Sequence, residues 1–301
     1  MKETSKVSFR RSLFFLTDLD WVMESTTEPL RVRGVEQILW IGLCLPPLLV
    51  LGFAFLYPLL ASVWSSIIYE GNLSLAHYSR VYTLYRQDVV FTLGVALSGL
   101  VLVLLVGLPV CGYLRLRTFR TVEFLLKVPL FVPFVVVGHA MRVFLSPHGT
   151  LNGLLLLAGI LDPQHPPSLA TSWLGLAIAL AWKHMGLAAL LFMGAFRAVD
   201  EAYLESAQNF GAGILRQTKD ILIPMAAPSI AVACVLVFAS MLASFSIPLM
   251  MGRGSGPQML MIDVYYRFGQ HGDYATAGAL GVVAYLMASG AAFVYLRNLG
   301  R

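Results

Sequence analysis

Apolar stretches follow one another almost without interruption from residue 38 to residue 296, and this succession constrains the chain more than any other feature. Six of them read as spans, at about 38–68, 89–114, 122–145, 173–196, 225–251 and 274–296, each long enough to meet the roughly twenty residues that a helix needs to cross a hydrocarbon core. The pattern predicts an all-α, polytopic membrane protein with six transmembrane helices. Composition agrees: 58% of the 301 residues are hydrophobic and only 12% charged, with a mean hydropathy of +0.76, far from the average of soluble domains.

Between the spans the sequence is short and polar. Residues 1–37 form a basic arm holding Lys2, Lys6, Arg10, Arg11, Arg31 and Arg33, with an apolar patch at 13–16 that is too short to span and no small-residue cleavage pattern of a signal peptide. Residues 38–301 then form the membrane domain. Pro46, Pro47 and Pro58 predict a kinked first span, since neighbouring groups in a membrane can satisfy the carbonyls they free. A polar segment is expected at 69–88 and a glycine-rich loop at 252–273. The ten apolar residues 151–160, inside the loop 146–172, are too few to cross and read as a short surface or re-entrant helix.

One segment is a polar island. From Asp200 to Ile230 it carries Asp200, Glu201, Glu205 and Asp220, four of the sixteen carboxylates. Its first part has the composition of a short amphipathic helix ending at Gly211, where a left-handed residue would close it. A second helical segment, about 214–222, is expected to stop at Pro224. Fifteen of the twenty-one Lys and Arg residues lie in the arm, at 115–127, in the island with Arg197 just before it, and in the tail, which predicts that all four face the cytoplasm.

The island also carries a resemblance. Glu205-x-Ala207, Gly211-Ala212 and Ile221-x-Ile223-Pro224, at these spacings, resemble the EAA loop of binding-protein-dependent ABC importer permeases, with Ser206 where alanine is usual and Phe210 where aspartate is frequent. Weaker similarities lie in Pro129-Leu130-Phe131-Val132-Pro133, Gly149-x-x-Asn152-x-x-Leu155, Trp182-Lys183 and Ser244-Phe245-Ser246-Ile247-Pro248-Leu249, and the last of these resembles most the polyamine, ferric iron, thiamine and phosphonate branch. The resemblance covers about 89–297 and leaves the arm outside.

It implies a type I importer permease of the bacterial inner membrane, multi-pass, with both termini cytoplasmic, forming half of a path for a small polar solute by alternating access. The implied partners are two ATP-binding subunits, a second permease (by its branch a different chain), a periplasmic or extracellular solute-binding protein and membrane lipid. The implied ATPase-coupling residues are Glu201, Glu205, Ala207, Gly211, Ala212, Ile221 and Pro224. Lys183 and His184, ionisable at mid-span depth, together with Ser244 and Ser246, are candidates for lining the path. For Lys183 the alternative is a structural contact with a carbonyl or with the sister subunit. The basic character of Lys183, His184, His139 and Arg142 leans toward an anionic or neutral solute.

Other chemistries find little support. No G-x-x-x-x-G-K-[ST] loop occurs, so any ATP and Mg would be bound by partner subunits, and the chain itself holds no cofactor. Gly252, Gly254 and Gly256 follow a span and open no strand-turn-helix unit. The six histidines include no H-E-x-x-H, no G-x-S-x-G is present, and Cys44, Cys111 and Cys234 sit in apolar runs, so neither catalytic nor metal-binding residues are expected. The basic residues are spread beside the spans, which argues against nucleic acid. An ion-coupled secondary transporter would need carboxylates at membrane depth, and all sixteen lie outside the span centres. A membrane-embedded enzyme would need a catalytic cluster there.

Overall fold

A computed structural model describes residues 34–162, 166–252 and 256–299, so most of the basic arm lies outside the described residues. The chain divides into two compact units, 1–59 and 60–301. The division falls inside helix α1, Gly34–Ser66, which keeps Pro46, Pro47 and Pro58 within it. A two-strand hairpin follows, β1 (Ile68–Tyr69) on β2 (Asn72–Leu73), turning through Glu70 and Gly71, both at positive φ.

Helix α2, Ala76–Leu116, is 41 residues long. At 1.5 Å per residue that is roughly 60 Å, about twice the thickness of a hydrocarbon core. The segment expected to be a polar connection therefore turns out to be helix from residue 76 onward, projecting beyond the bilayer end of the span. Hydropathy marks where a helix leaves the apolar phase, not where it stops.

The third span is broken. Helices α3 (Arg120–Phe131) and α4 (Phe134–Phe144) meet at 108°, in place of the single span expected over 122–145. The cause is local: Pro133 has no N–H and disfavours helical backbone at Val132, which is extended at φ −83°, ψ 123°. Helix α5, Thr150–Leu157, lies in the following loop, where the buried Asn152 amide donates to the carbonyls of Pro147 and Pro167 at 3.0 and 2.8 Å. Helix α6, Trp173–Arg197, is the most enclosed element, capped by Ser172, whose hydroxyl accepts from Gly175 N.

After the island come α10 (Ala227–Leu242), α11 (Ser246–Met251), α12 (Leu260–Tyr265) and α13 (Tyr274–Leu299). The expected fifth span, 225–251, thus divides at 243–245, and the expected loop 252–273 contains α12 and the π-helical turn Tyr266–Gln270. Among the described residues, three helices meet the length and hydropathy of a membrane span. The two bent pairs raise this to five, and α13 adds the shorter apolar stretch Tyr274–Gly290. The fold is all-α and polytopic.

The core of the second unit is built where α2, α6 and α10 meet, around Val103, Leu180, Phe192, Phe196, Val237 and Met241. Outside it the polarity is the reverse of a soluble protein. Leu105, Phe124, Phe131 and Phe293 are all well exposed, as side chains facing lipid should be.

Candidate functional site

The island folds as a helical hairpin around one glycine. Helix α7, Glu201–Asn209, starts at Asp200, whose carboxylate accepts from Ala202 N at 3.0 Å. It ends at Gly211, φ +78°, with Gly211 N donating to the Gln208 carbonyl and Ala212 N to that of Ala207, both at 2.9 Å. Helix α8 (Ile214–Gln217) then returns, stapled by Gln217 Nε2 donating to the Ala212 carbonyl at 2.6 Å. A π-helical turn, Thr218–Leu222, and the three residues of α9, Ile223–Met225, lead to an 80° bend before α10. The helical run thus passes through Pro224 and stops one residue later, because a proline near the start of a turn loses no bond that the turn would have made.

Three contacts fix the hairpin to the membrane helices. Leu204 is buried in the main core. Arg115, at the end of α2, donates from Nε to the Phe196 carbonyl at 3.2 Å and reaches Glu201 with Nη2 at 3.6 Å. Thr218 packs directly on Gly112, where an added Cβ would fall 2.2 Å from its Cγ2. Nearby, Glu123 Oε1 accepts from Lys127 at 2.6 Å and Arg197 at 3.0 Å, tying α3 to the end of α6.

The opposite face is open. Glu205, Tyr203 (55% exposed), Leu215 (75%) and Phe210 (89%) are exposed on the hairpin, and a Cβ added at Gly211 would meet no atom within 4 Å. Ala207, Ala212 and Ile221 are half-buried, and Pro224 is exposed. Tyr203, Phe210 and Leu215 are absent from the coupling residues assigned from the sequence, where Phe210 appears only as a departure from the loop it resembles. Their signal is an apolar side chain on the polar side of an amphipathic helix or at its turn, where lipid is not the neighbour.

The four path candidates sit elsewhere. Lys183 is buried, and its Nζ donates to the carbonyls of Val132 (2.6 Å) and Pro129 (2.7 Å), with the Phe134 ring 4.4 Å away. Pro129 is the residue whose carbonyl would have accepted from position 133, and Pro133 cannot donate. The lysine thus serves the break in the third span. His184 shares its Nδ1 with the Leu180 carbonyl (2.8 Å) and its Nε2 with the Ser240 hydroxyl (3.1 Å). Ser244 is buried and Ser246 half-buried.

A groove of about 590 Å³ opens beside these elements. Ala239, Leu242 and Ala243 of the α10 end form one wall, and Met261, Val264 and Phe268 another. Ser62 and Ser65 of α1 and Tyr274, Gly278 and Tyr285 of α13 also line it. Its polar atoms are hydroxyls, and no charged side chain is among its lining residues. Lys183, His184, Ser244 and Ser246 are not among them either.

The profile of the family described as "Binding-protein-dependent transport system inner membrane component" matches residues 99–299. Among similar curated proteins, the spermidine/putrescine transport system permease protein PotB of Escherichia coli is 26% identical over 212 residues, 69% of this chain and 74% of that protein. The molybdenum transport system permease protein ModB of Azotobacter vinelandii is 29% identical over 164 residues, 54% of this chain and 70% of that protein. Among solved structures, a chain of a bacterial alginate ABC transporter, in complex with an alginate-bound periplasmic protein, superposes with a TM-score of 0.64 at 20% identity, covering 89% of this chain and 96% of that one. A chain of the MetNI methionine ABC transporter gives 0.55 at 16% identity, covering 72% and 95%.

Proposed function

Because the chain belongs to the family of binding-protein-dependent transport system inner membrane components, we propose that it forms half of an importer's translocation path and that its 200–224 island docks on an ATP-hydrolysing subunit. The chain is a non-catalytic transport subunit of a multi-pass inner-membrane system. In this reading ATP and Mg reside on two partner ATPases, and a second permease completes the path. A solute-binding protein delivers the solute at the opposite face. The Lys and Arg distribution supports a cytoplasmic island and cytoplasmic termini in this reading.

The observation that carries the reading is the contrast between the island's two faces. One face is fixed to α2 and α6 through Leu204, Arg115 and Thr218. The other presents Glu205 with exposed Tyr203, Phe210 and Leu215 around a left-handed glycine, the aromatic and apolar anchors of a protein interface. Movement of a docked partner would pass through the bend at 226 into α10, whose far end walls the groove. Glu201, Glu205, Ala207, Gly211, Ala212, Ile221 and Pro224 are assigned to this coupling, with the three exposed apolar side chains added.

The groove is assigned to the solute path, with Lys183 serving the broken helix. Its lining is mainly alanine, leucine, valine, methionine and aromatic side chains with a few hydroxyls, and it supplies no countercharge for a polycation. The relatives are named for spermidine and putrescine and for molybdenum, so the solute's identity rests with the binding protein and the sister subunit. The test is co-purification of the ATPase with the wild-type chain, with Glu205→Lys and with Gly211→Val, at equal membrane levels. Loss of the ATPase in both variants is expected. Full retention in both, with normal uptake in vesicles, contradicts the docking assignment.

A further inference from the structure

The segment between α11 and α12 is held to the far end of α2 by a small polar lattice. Gln258 N donates to Asp88 Oδ1 at 2.6 Å, and its side-chain amide donates to Asp263 Oδ1 at 2.5 Å. Leu260 N donates to the Thr92 hydroxyl at 2.9 Å, and that hydroxyl donates to the Asp88 carbonyl at 2.6 Å. One glutamine therefore bridges two carboxylates. Asp263 is 5% exposed, and among the described residues its second oxygen, Oδ2, has no hydrogen-bond partner.

A buried ionised oxygen without a donor is costly, and a second carboxylate nearby raises the cost. The compensating charge is committed elsewhere: Arg267, on the turn after α12, donates to the Tyr85 hydroxyl and pairs with Asp273 at 3.7 Å. The charged groups that act on Asp263 are thus Asp88 on α2 and Arg267 on that turn, while Asp273, at the start of α13, is already shared by Arg80 and Arg267. Burial pushes the Asp263 carboxyl up to about 7, with the Gln258 bond and Arg267 pulling down and Asp88 pushing up.

We propose that Asp263 is a proton-binding switch that latches α12 to α2. With the carboxyl protonated, the lattice holds a single negative charge, and the segment 256–265 stays docked. When the proton leaves to the surrounding water, a second negative charge, with no donor on Oδ2 among the described residues, lies buried near that of Asp88, and the segment is released. Release reaches the groove directly, because Met261 and Val264 on the same helix, and Phe268 after it, line its wall. Placing this end of the groove outside the cell rests on the orientation proposed above, and the docking experiment on the island tests that reading separately. The latch makes the groove's width depend on the pH at its mouth.

The test is amide hydrogen exchange of the full chain in lipid nanodiscs, corrected for intrinsic rates, at about pH 5.5 and about pH 8.5. Protection of the amides around Leu260 should fall by about tenfold per pH unit between about pH 4, the ordinary carboxyl value, and a midpoint near 7, where docked Asp263 itself ionises, and should level off above it. Asp263→Asn, neutral at every pH, should hold protection constant. Asp88→Asn keeps an acceptor oxygen but removes the neighbouring charge, so it should move the midpoint to lower pH, and it carries the test alone if Asp263→Asn does not fold. Equal protection of the wild type at both pH values, an unmoved midpoint in Asp88→Asn, or an unchanged loss in Asp263→Asn would overturn the switch.

Discussion

The ammonium of Lys183 lies 2.6 Å from the carbonyl oxygen of Val132, on the far side of the break that Pro133 makes in the third span. This pairing turns an apparent liability into a structural element. A bend of 108° inside a membrane exposes carbonyls that neither water nor the helix can satisfy, and a lysine from the neighbouring helix reaches three of them, the third, Leu130, at 3.5 Å.

Lys183→Met should therefore destabilise the chain before it alters any solute preference. Leaving a buried carbonyl without a donor costs about 1–3 kcal/mol, and two short bonds are lost together. Thermal unfolding of the purified protein in detergent should show a clear drop for Lys183→Met and a smaller one for Lys183→Arg, which retains donors. An unchanged transition with altered solute selectivity would instead return Lys183 to the path.

The contact of Gly112 with Thr218 leads to a compensating pair. Gly112→Ala places a methyl 2.2 Å from Thr218 Cγ2, closer than any packing allows, so the π-helical turn must move away from α2. ATPase binding should weaken while insertion is retained. Thr218→Ala removes the two nearest atoms, and adding it to Gly112→Ala should restore part of the binding. Additive losses in the double variant would mean that this contact does not position the island.

Asp273 titrates in the opposite sense from Asp263. Burial alone would raise its pKa, but hydrogen bonds from Thr276 and the guanidinium groups of Arg80 and Arg267 outweigh it and hold the carboxyl below its ordinary range. A depressed carboxylate contributes stability that is present above its unfolded value of about 3.9 and lost as pH falls through the folded value. Exchange at Thr276 N, which donates to Asp273 Oδ1 at 3.1 Å, should accelerate only under strong acid, and Asp273→Asn should abolish that acid step. Release at α12 grows as pH rises toward neutrality, so the two ends of one segment should respond to opposite pH changes.

Much of this architecture is legible in the sequence because the bilayer imposes it. The apolar run from 173, opened by a serine cap, reads directly as α6, and Gly211 marks the turn of the island because few other residues adopt φ +78° without strain. What hydropathy does not carry is direction. The 122–145 and 225–251 runs are largely apolar, yet each divides, at Pro133 in the first and at 243–245 in the second. Helix α2 begins well before its apolar part: its outer turns pack on α12 and α13 through Val81 and Tyr85, a tertiary contact with no local signature. The role of Lys183 is invisible until Pro129 and Val132 stand beside it. Phe210 is readable as a departure from the loop it resembles, but only its 89% exposure shows it as a free anchor.

The most direct measurement is a photo-cross-link. A benzophenone amino acid in place of Phe210, in the assembled transporter in native membranes, should give an adduct with the ATP-binding subunit. The same group in place of Leu157, equally exposed at 87% but on the loop helix α5, should give none. An adduct from position 157 alone, or no ATPase adduct from position 210 in a complex that hydrolyses ATP on solute delivery, would contradict the account.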